Sequence, residues 1–197
     1  RWISSMKRMV RCWYIPRRSF ASSTTRRRSA TPEATAEIDP GRVVAVTVTT
    51  FGADGAPVTA DNELTYPLIS WQCTRTEALA DSIGERMDPW DLFRITGYQV
   101  IPFDTLLKLI WMRENAPEAL EGADTWLMMP GLLSLKLCGE RSIDPTAAGT
   151  MMAMDMAARD WSEEVLALAD LRPDFFPRWV EPGGAIGRVT ADAALET

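Results

Sequence analysis

Five consecutive residues, Phe51-Gly52-Ala53-Asp54-Gly55, carry the parts of a small-molecule grip. They offer one aromatic wall, two glycines that let a ligand approach the backbone, and a carboxylate that accepts hydrogen bonds from hydroxyls. Gly-x-Asp-Gly after an apolar run is equally the end of an ordinary strand, and the residues by themselves leave both readings open. Arg75, in Trp71-Gln72-Cys73-Thr74-Arg75-Thr76, is a second candidate. Its planar, five-donor guanidinium can hold ligand hydroxyls or clamp the neighbouring loop through Asp54, and the clamp is the preferred reading. Trp71 and Cys73 read as core. Histidine is absent from the chain, which excludes Ser-His-Asp and Cys-His catalysis and the usual His-bearing metal sites. A general base has to be a carboxylate or a lysine.

The elements that must position these groups follow from the hydrophobic pattern. Val43, Val44, Ala45, Val46 and Val48 are nearly continuous, which predicts a strand covered on both faces, as in a parallel sheet. In open α/β sheets, ligands collect where the carboxyl ends of such strands meet their loops, which places residues 51–55 at a ligand's edge. Two further strands are expected, Ala56–Ala60 and Leu64–Trp71, joined at Asp61-Asn62-Glu63, then a helix from Glu77 to Arg86. Asp88-Pro89-Trp90-Asp91 reads as a helix start closed by Gly97. Pro102 breaks the chain before Asp104 caps a helix over Thr105–Asn115, whose apolar face carries Leu106, Leu109 and Ile110 at helical spacing with Arg113. Helices over Pro117–Gly122, Leu132–Cys138 and Glu163–Ala169 and a buried strand over Thr125–Met129 follow, and the end, Arg188–Thr197, carries no strong pattern. The methionines 128, 129, 151, 152, 154 and 156 lie in apolar runs without Cys or His company, so they read as core filling rather than a soft-metal box.

Charge is divided sharply. Arg1 to Pro32 holds nine of the 21 Lys and Arg and no acid, leaving 12 positive against 27 negative charges, a balance of −15, over the rest. That acidic body is poorly suited to nucleic acid or anionic lipid. Three widely spaced cysteines, Cys12, Cys73 and Cys138, suggest a reducing, cytoplasmic setting rather than a disulfide framework. No apolar run approaches the roughly 18 residues of a membrane helix. Residues 1–42 have the Arg/Ser composition of an organellar transit peptide or, equally, of a solvated basic tail, and the preferred reading is a misread or truncated start.

The segments TTFGADG, YPLISWQCTRT (66–76), ITGYQVIPFDTL (95–106) and LCGERSIDPTAAGT (137–150) resemble, in order and spacing, the FGGY family of carbohydrate kinases, most of all its L-fuculokinase branch with the rhamnulokinases next. The resemblance implies an α/β, ribonuclease H-like (actin-like ATPase) N-terminal lobe of a sugar kinase, incomplete, over residues 43–197. It implies transfer of the ATP γ-phosphoryl group, with Mg2+, to a hydroxyl of a ketose such as L-fuculose. Gly52 is the implied backbone contact to the sugar, flanked by Phe51 and Asp54. Arg75, and Gln99 and Ile101 of the 99–103 loop, are the other substrate-binding candidates, and apolar walls there would suit a deoxy methyl end. The family's phosphate turn is not legible before Val43, and its catalytic aspartate and adenine pocket belong to a second domain. In the fuculokinase branch that aspartate follows a Gly-His pair, so a chain without histidine lacks it. The expectation is therefore a sugar-binding lobe that does not turn over alone. A non-catalytic binding or scaffolding domain with a basic tail is the alternative.

Overall fold

The computed structural model describes residues 44–196, so the basic segment 1–42 and Val43 lie outside the described residues. The rest is organised around one helix. Thr105–Asn115 contains Leu106, Leu107, Leu109, Ile110 and Met112, and all are buried together with Thr105 and Lys108. The sequence predicts an apolar stripe; the structure buries nearly the whole circumference, because the helix is packed from several sides. Trp126 and Met128 come from the strand that follows, Met151 and Met152 from the turn after residues 145–150, and Val165, Leu166 and Ala169 from residues 163–169. Each large side chain removed from water contributes on the order of 1.5–3 kcal/mol.

Two strands deliver the loops of interest. β1 (Gly55–Val58) pairs antiparallel with β2 (Thr125–Met128) in the register Gly55↔Met128 to Val58↔Thr125, and all eight residues are buried. Gly55 is required by close approach: a Cβ there would lie 2.6 Å from Trp126 Nε1. On its other edge β1 makes isolated antiparallel bridges to Leu64 and Ile69.

That double pairing corrects the expectation for Val43–Val48. Among the described residues, 44–50 form no strand, Val44 is 97% and Val46 59% exposed, and both edges of β1 are already taken. A continuous apolar run signals a covered strand only where neighbouring strands exist to cover it. The Asp61-Asn62-Glu63 turn does form, with Thr59 N–H bonded to Glu63 O at 2.8 Å. Leu64–Trp71 is not a continuous strand; it touches β1 at Leu64 and Ile69 only, since Pro67 between them has no N–H to give.

The helices follow their caps. In chain order, α1 is Glu77–Ser82, extended by a 3₁₀ turn Ile83–Glu85, and α2 is Pro89–Thr96. Asp88 accepts from Trp90 and Asp91 N–H, and Gly97 ends α2 at φ 65°. The central helix is α3, followed by α4 (Pro117–Glu121) and α5 (Met129–Cys138), which starts directly from β2, three residues before the predicted start. Three elements carry no prediction: α6 (Pro145–Thr150), capped by Asp144; the hairpin β3 (Met154–Asp155) with β4 (Asp160–Trp161); and α8 (Ala191–Glu196) at the end. Between them α7 (Glu163–Leu166) and its 3₁₀ extension Ala167–Ala169 cover the expected Glu163–Ala169, with the Ser162 side chain accepting from Val165 N–H as the cap. Met128, Met151, Met152 and Met154 are core, as the composition suggests, whereas Met156 is 53% exposed.

Candidate functional site

The loop before β1 is where the first sequence candidates fall. Phe51 and Gly52 face solvent, while Ala53 and Asp54 turn inward and are buried. Gly52 O accepts from Thr150 Oγ1 at 2.6 Å, and a Cβ on Gly52 would lie 3.1 Å from that hydroxyl, so the last residue of α6 fits against a bare backbone. Asp54 Oδ1 accepts from Trp71 N–H at 2.6 Å. One carboxylate therefore ties the 51–54 loop to the segment that carries Trp71.

Three aromatic rings from three loops meet there. The Trp71 ring lies 6.0 Å from Phe51 and 6.3 Å from Phe103, the latter edge-on at 87°. Trp71 is half-buried, and its Nε1 is a buried donor without a hydrogen-bond partner. The 99–103 loop that presents Phe103 is itself tied down: Thr76 Oγ1 donates to Pro102 O, and Ile101 N–H donates to Asp104 Oδ2 at 2.8 Å. Asp104 is fully buried and its Oδ1 has no partner. Its side chain serves Ile101 rather than capping α3, as the sequence predicts it to do.

Beneath these loops lies Lys108, fully buried on α3. Its ammonium donates to Ala53 O at 2.5 Å and to Ile69 O at 3.3 Å. Burial lowers the Lys108 pKa to about 8, helped by the like charge of Arg75 and opposed by Asp54, Cys73 and Asp104. Burial also pushes the Asp104 carboxyl up to about 7, against the Ile101 hydrogen bond and the Lys108 charge. Asp54 is raised by the same desolvation, opposed by the Trp71 N–H and Lys108.

Arg75 goes elsewhere than the sequence suggests. Its hydrogen bonds run to Tyr66 Oη at 3.1 Å and Cys73 Sγ at 2.9 Å, and its guanidinium carbon lies 4.6 Å from the Trp111 ring centroid. The clamp onto Asp54 is thus corrected: stacking on Trp111 and a neighbouring sulfur compete successfully for a weakly hydrated guanidinium. Burial works to raise the Cys73 thiol, yet the hydrogen bonds and charge of Arg75, with Lys108 beyond, hold it below its usual range.

The structure therefore groups Phe51, Gly52 and Asp54 with Trp71 and Phe103, puts Arg75 on the adjoining Tyr66–Trp111 pair, and leaves Gln99 exposed and Ile101 half-buried in the loop leading to Phe103. Trp71, Phe103, Asp104 and Lys108 were missed as site residues. A signal existed for one of them: Lys108 interrupts an otherwise apolar helix run, where an unpaired charge needs a reason. A groove of about 480 Å3 lies at the opposite end of β1, lined by Asn62, Asp124, Arg141 and Arg178 among others. Its central cation is consumed by protein partners, as Arg141 donates to Asn62 Oδ1, Thr59 O and Ala60 O and pairs with Asp124, so the aromatic corner is the stronger candidate.

The pattern of the FGGY family of carbohydrate kinases, N-terminal domain, matches residues 20–197. L-fuculokinase of Salmonella typhi is 44% identical over 149 residues, which cover 76% of this chain and 32% of that protein. L-fuculokinase of Escherichia coli (strain K12) is 42% identical over the same coverage. The chain spans about a third of the length of these relatives. Among solved structures, gluconate kinase from Lactobacillus acidophilus superposes with a TM-score of 0.77 at 20% identity, over 83% of this chain and 33% of that one. The fold is accordingly that of the N-terminal lobe of the actin-like ATPase sugar kinases, mixed helix and strand. The chain belongs to the FGGY family of carbohydrate kinases.

Proposed function

We propose that this chain supplies the sugar-binding lobe of an ATP-dependent kinase that phosphorylates a hydroxyl of a ketose, L-fuculose being the first substrate to test. The observation that carries the reading is the convergence of Phe51, Trp71 and Phe103 beside the exposed backbone of Gly52. Aromatic faces bind the C–H surfaces of a sugar, and the Gly52 amide N–H with the unpartnered Trp71 indole N–H supplies directional contacts to hydroxyls. The 44% identity to an L-fuculokinase supports the choice of sugar. Within this reading Arg75 shapes the corner from behind, through Tyr66 and Trp111, and Gln99 and Ile101 line its approach.

Phosphoryl transfer requires in-line positioning of the acceptor hydroxyl and neutralisation of phosphate charge, and ATP with Mg2+ supplies the transferred group and part of that neutralisation. Among the described residues no group of three Asp, Glu or Cys converges into a cation site, and no step is assigned to the metal. What these residues do is bind and orient the sugar and exclude water from one side of it. The chain alone is expected to be inactive, because the base that takes the hydroxyl proton belongs to the complementary lobe.

Two measurements test this. In an ADP-release assay with L-fuculose, the 197-residue chain should show no turnover above background; measurable turnover would mean that the catalytic parts have been misplaced. In calorimetric titration L-fuculose should bind weakly and saturably, and Trp71→Ala should abolish the binding. Undiminished binding in that variant would remove the aromatic corner from the account.

A further inference from the structure

We propose that Lys108 is a positioning residue for the sugar-facing corner: from the buried side of α3 its ammonium gathers the carbonyls of Ala53 and Ile69, and so sets the two loops that present Phe51 and Trp71. The geometry stands without a substrate; its consequence for binding rests on the sugar-kinase reading above.

The argument begins with what a buried lysine is poor at. An ammonium taken out of water loses several kcal/mol of hydration, and an apolar residue of similar length fills a core at least as well. Lys108 is fully buried, and its hydrogen bonds go to two neutral carbonyls rather than to Asp54 or Asp104. A compact cation with several rotatable donors can nevertheless bring together acceptors from separate segments. The two acceptors are well placed for that. Ala53 precedes Asp54, whose carboxylate holds Trp71 N–H, and Ile69 lies two residues before Trp71 and bridges to Gly55. Lys108, Asp54 and the Gly55–Ile69 bridge thus close a ring joining helix, loop and loop. Removing the cation opens that ring on its buried side.

The groups that act on Lys108 are Asp54 from the 51–54 loop, Cys73 and Arg75 from the 69–76 segment, and Asp104 one turn back on its own helix. Burial has brought Lys108 down to about 8, and the neutral amine keeps two N–H donors for the two carbonyls, so as pH rises through that value the closed corner should gain over any opening that wets Lys108. A lysine that merely filled space would leave the loops indifferent to this change.

The test is hydrogen–deuterium exchange of the full chain between pH 6.5 and 9.5, corrected for intrinsic exchange, on wild type, Lys108→Met and Cys73→Ser. In wild type, protection of the 69–73 segment, which includes the Trp71 amide, should rise about tenfold across the range, while α7 changes little. Lys108→Met should show the loosened corner at every pH, and Cys73→Ser should keep the wild-type profile, which separates the thiol from the amine. Uniform loss of protection in Lys108→Met, or a corner protected equally in all variants, would overturn the proposal. If Lys108→Met does not fold, the wild-type and Cys73→Ser profiles decide it, because a pH-independent 69–73 segment contradicts the proposal directly. L-fuculose titrated on wild type and Lys108→Met adds the functional arm, with at least tenfold weaker binding expected in the variant. Absence of L-fuculose binding together with the expected exchange profile would remove the sugar reading and leave the positioning role standing.

Discussion

Strand β1 is held at each end by a cation, and the two ends differ in kind. Before its first residue, Lys108 collects the carbonyls of Ala53 and Ile69 from inside the core. After its last residue, Arg141 collects the carbonyls of Thr59 and Ala60, each at 2.7 Å, from a position near the surface where Asn62 and Asp124 complete its contacts. The arginine is permanently charged and presents a fork of donors, so its end is a clamp that pH does not touch. The lysine is titratable and desolvated, with its pKa lowered to about 8. A fold that needed only to anchor β1 would use the arginine clamp twice. Placing the vulnerable cation at the end that carries Phe51, Gly52 and Trp71 points to a geometric demand there that the other end does not face.

The comparison can be broken most severely at the strand itself. Gly55→Ala would drive a Cβ to within 2.6 Å of the Trp126 indole and cost about 3 kcal/mol, seen as a large drop in Tm whatever the cations do. Lys108→Met leaves two carbonyl acceptors without their donor, and about 2 kcal/mol is expected in denaturant unfolding, with the disorder concentrated in residues 51–54 and 69–73. Arg141→Lys should cost about 1 kcal/mol, because an ammonium cannot hold Asn62, Thr59, Ala60 and Asp124 at once, and it should leave the 51–54 loop unmoved. Equal disturbance of both loops by the two variants would erase the distinction between the ends.

The pH dependence sharpens it. Asp104 is raised to about 7, so between its unfolded value near 3.8 and 7 the native state holds the extra proton and stability falls as pH rises. Lys108 is lowered from 10.5 to about 8, so between those values the unfolded state holds the extra proton and stability rises with pH. Together the two groups contribute a minimum near pH 7–8. Asp104→Asn should flatten the acid limb and Lys108→Met the alkaline limb, while Arg141→Lys should leave the curve's shape alone. The smallest effect belongs to the exposed Arg86–Glu114 pair, whose removal should change stability by less than about 0.5 kcal/mol.

Much of this was legible where local chemistry decides structure. Asp88, Pro89 and Gly97 bound their helix as their caps require, and Thr105–Asn115 and Thr125–Met128 lie where the apolar pattern puts them. The strand expected over Val43–Val48 shows the limit, since its burial depends on neighbours that the run itself cannot specify. β3 and β4 are two residues each, too short to leave an alternation. The 51–54 loop was singled out by its residue types, but its partners were not. Trp71 was assigned to the core because an aromatic in an apolar segment is usually there, and Arg75 was given to Asp54 because opposite charge is the simplest partner. Tertiary packing chose Trp111 and Tyr66 for the arginine and a pair of carbonyls for Lys108. Choices of that kind are made by segments distant in sequence, and no window along the chain contains them.

The claim most in need of challenge is that the Phe51–Trp71–Phe103 corner is where a ketose rests. Amide and indole shift mapping of the 15N-labelled chain during L-fuculose titration addresses it directly. The account expects saturable shifts at the Gly52 amide and the Trp71 indole N–H, with the groove around Arg141 silent. Saturable shifts confined to the Arg141 groove, or none at Gly52 and Trp71 at any sugar concentration, would contradict it.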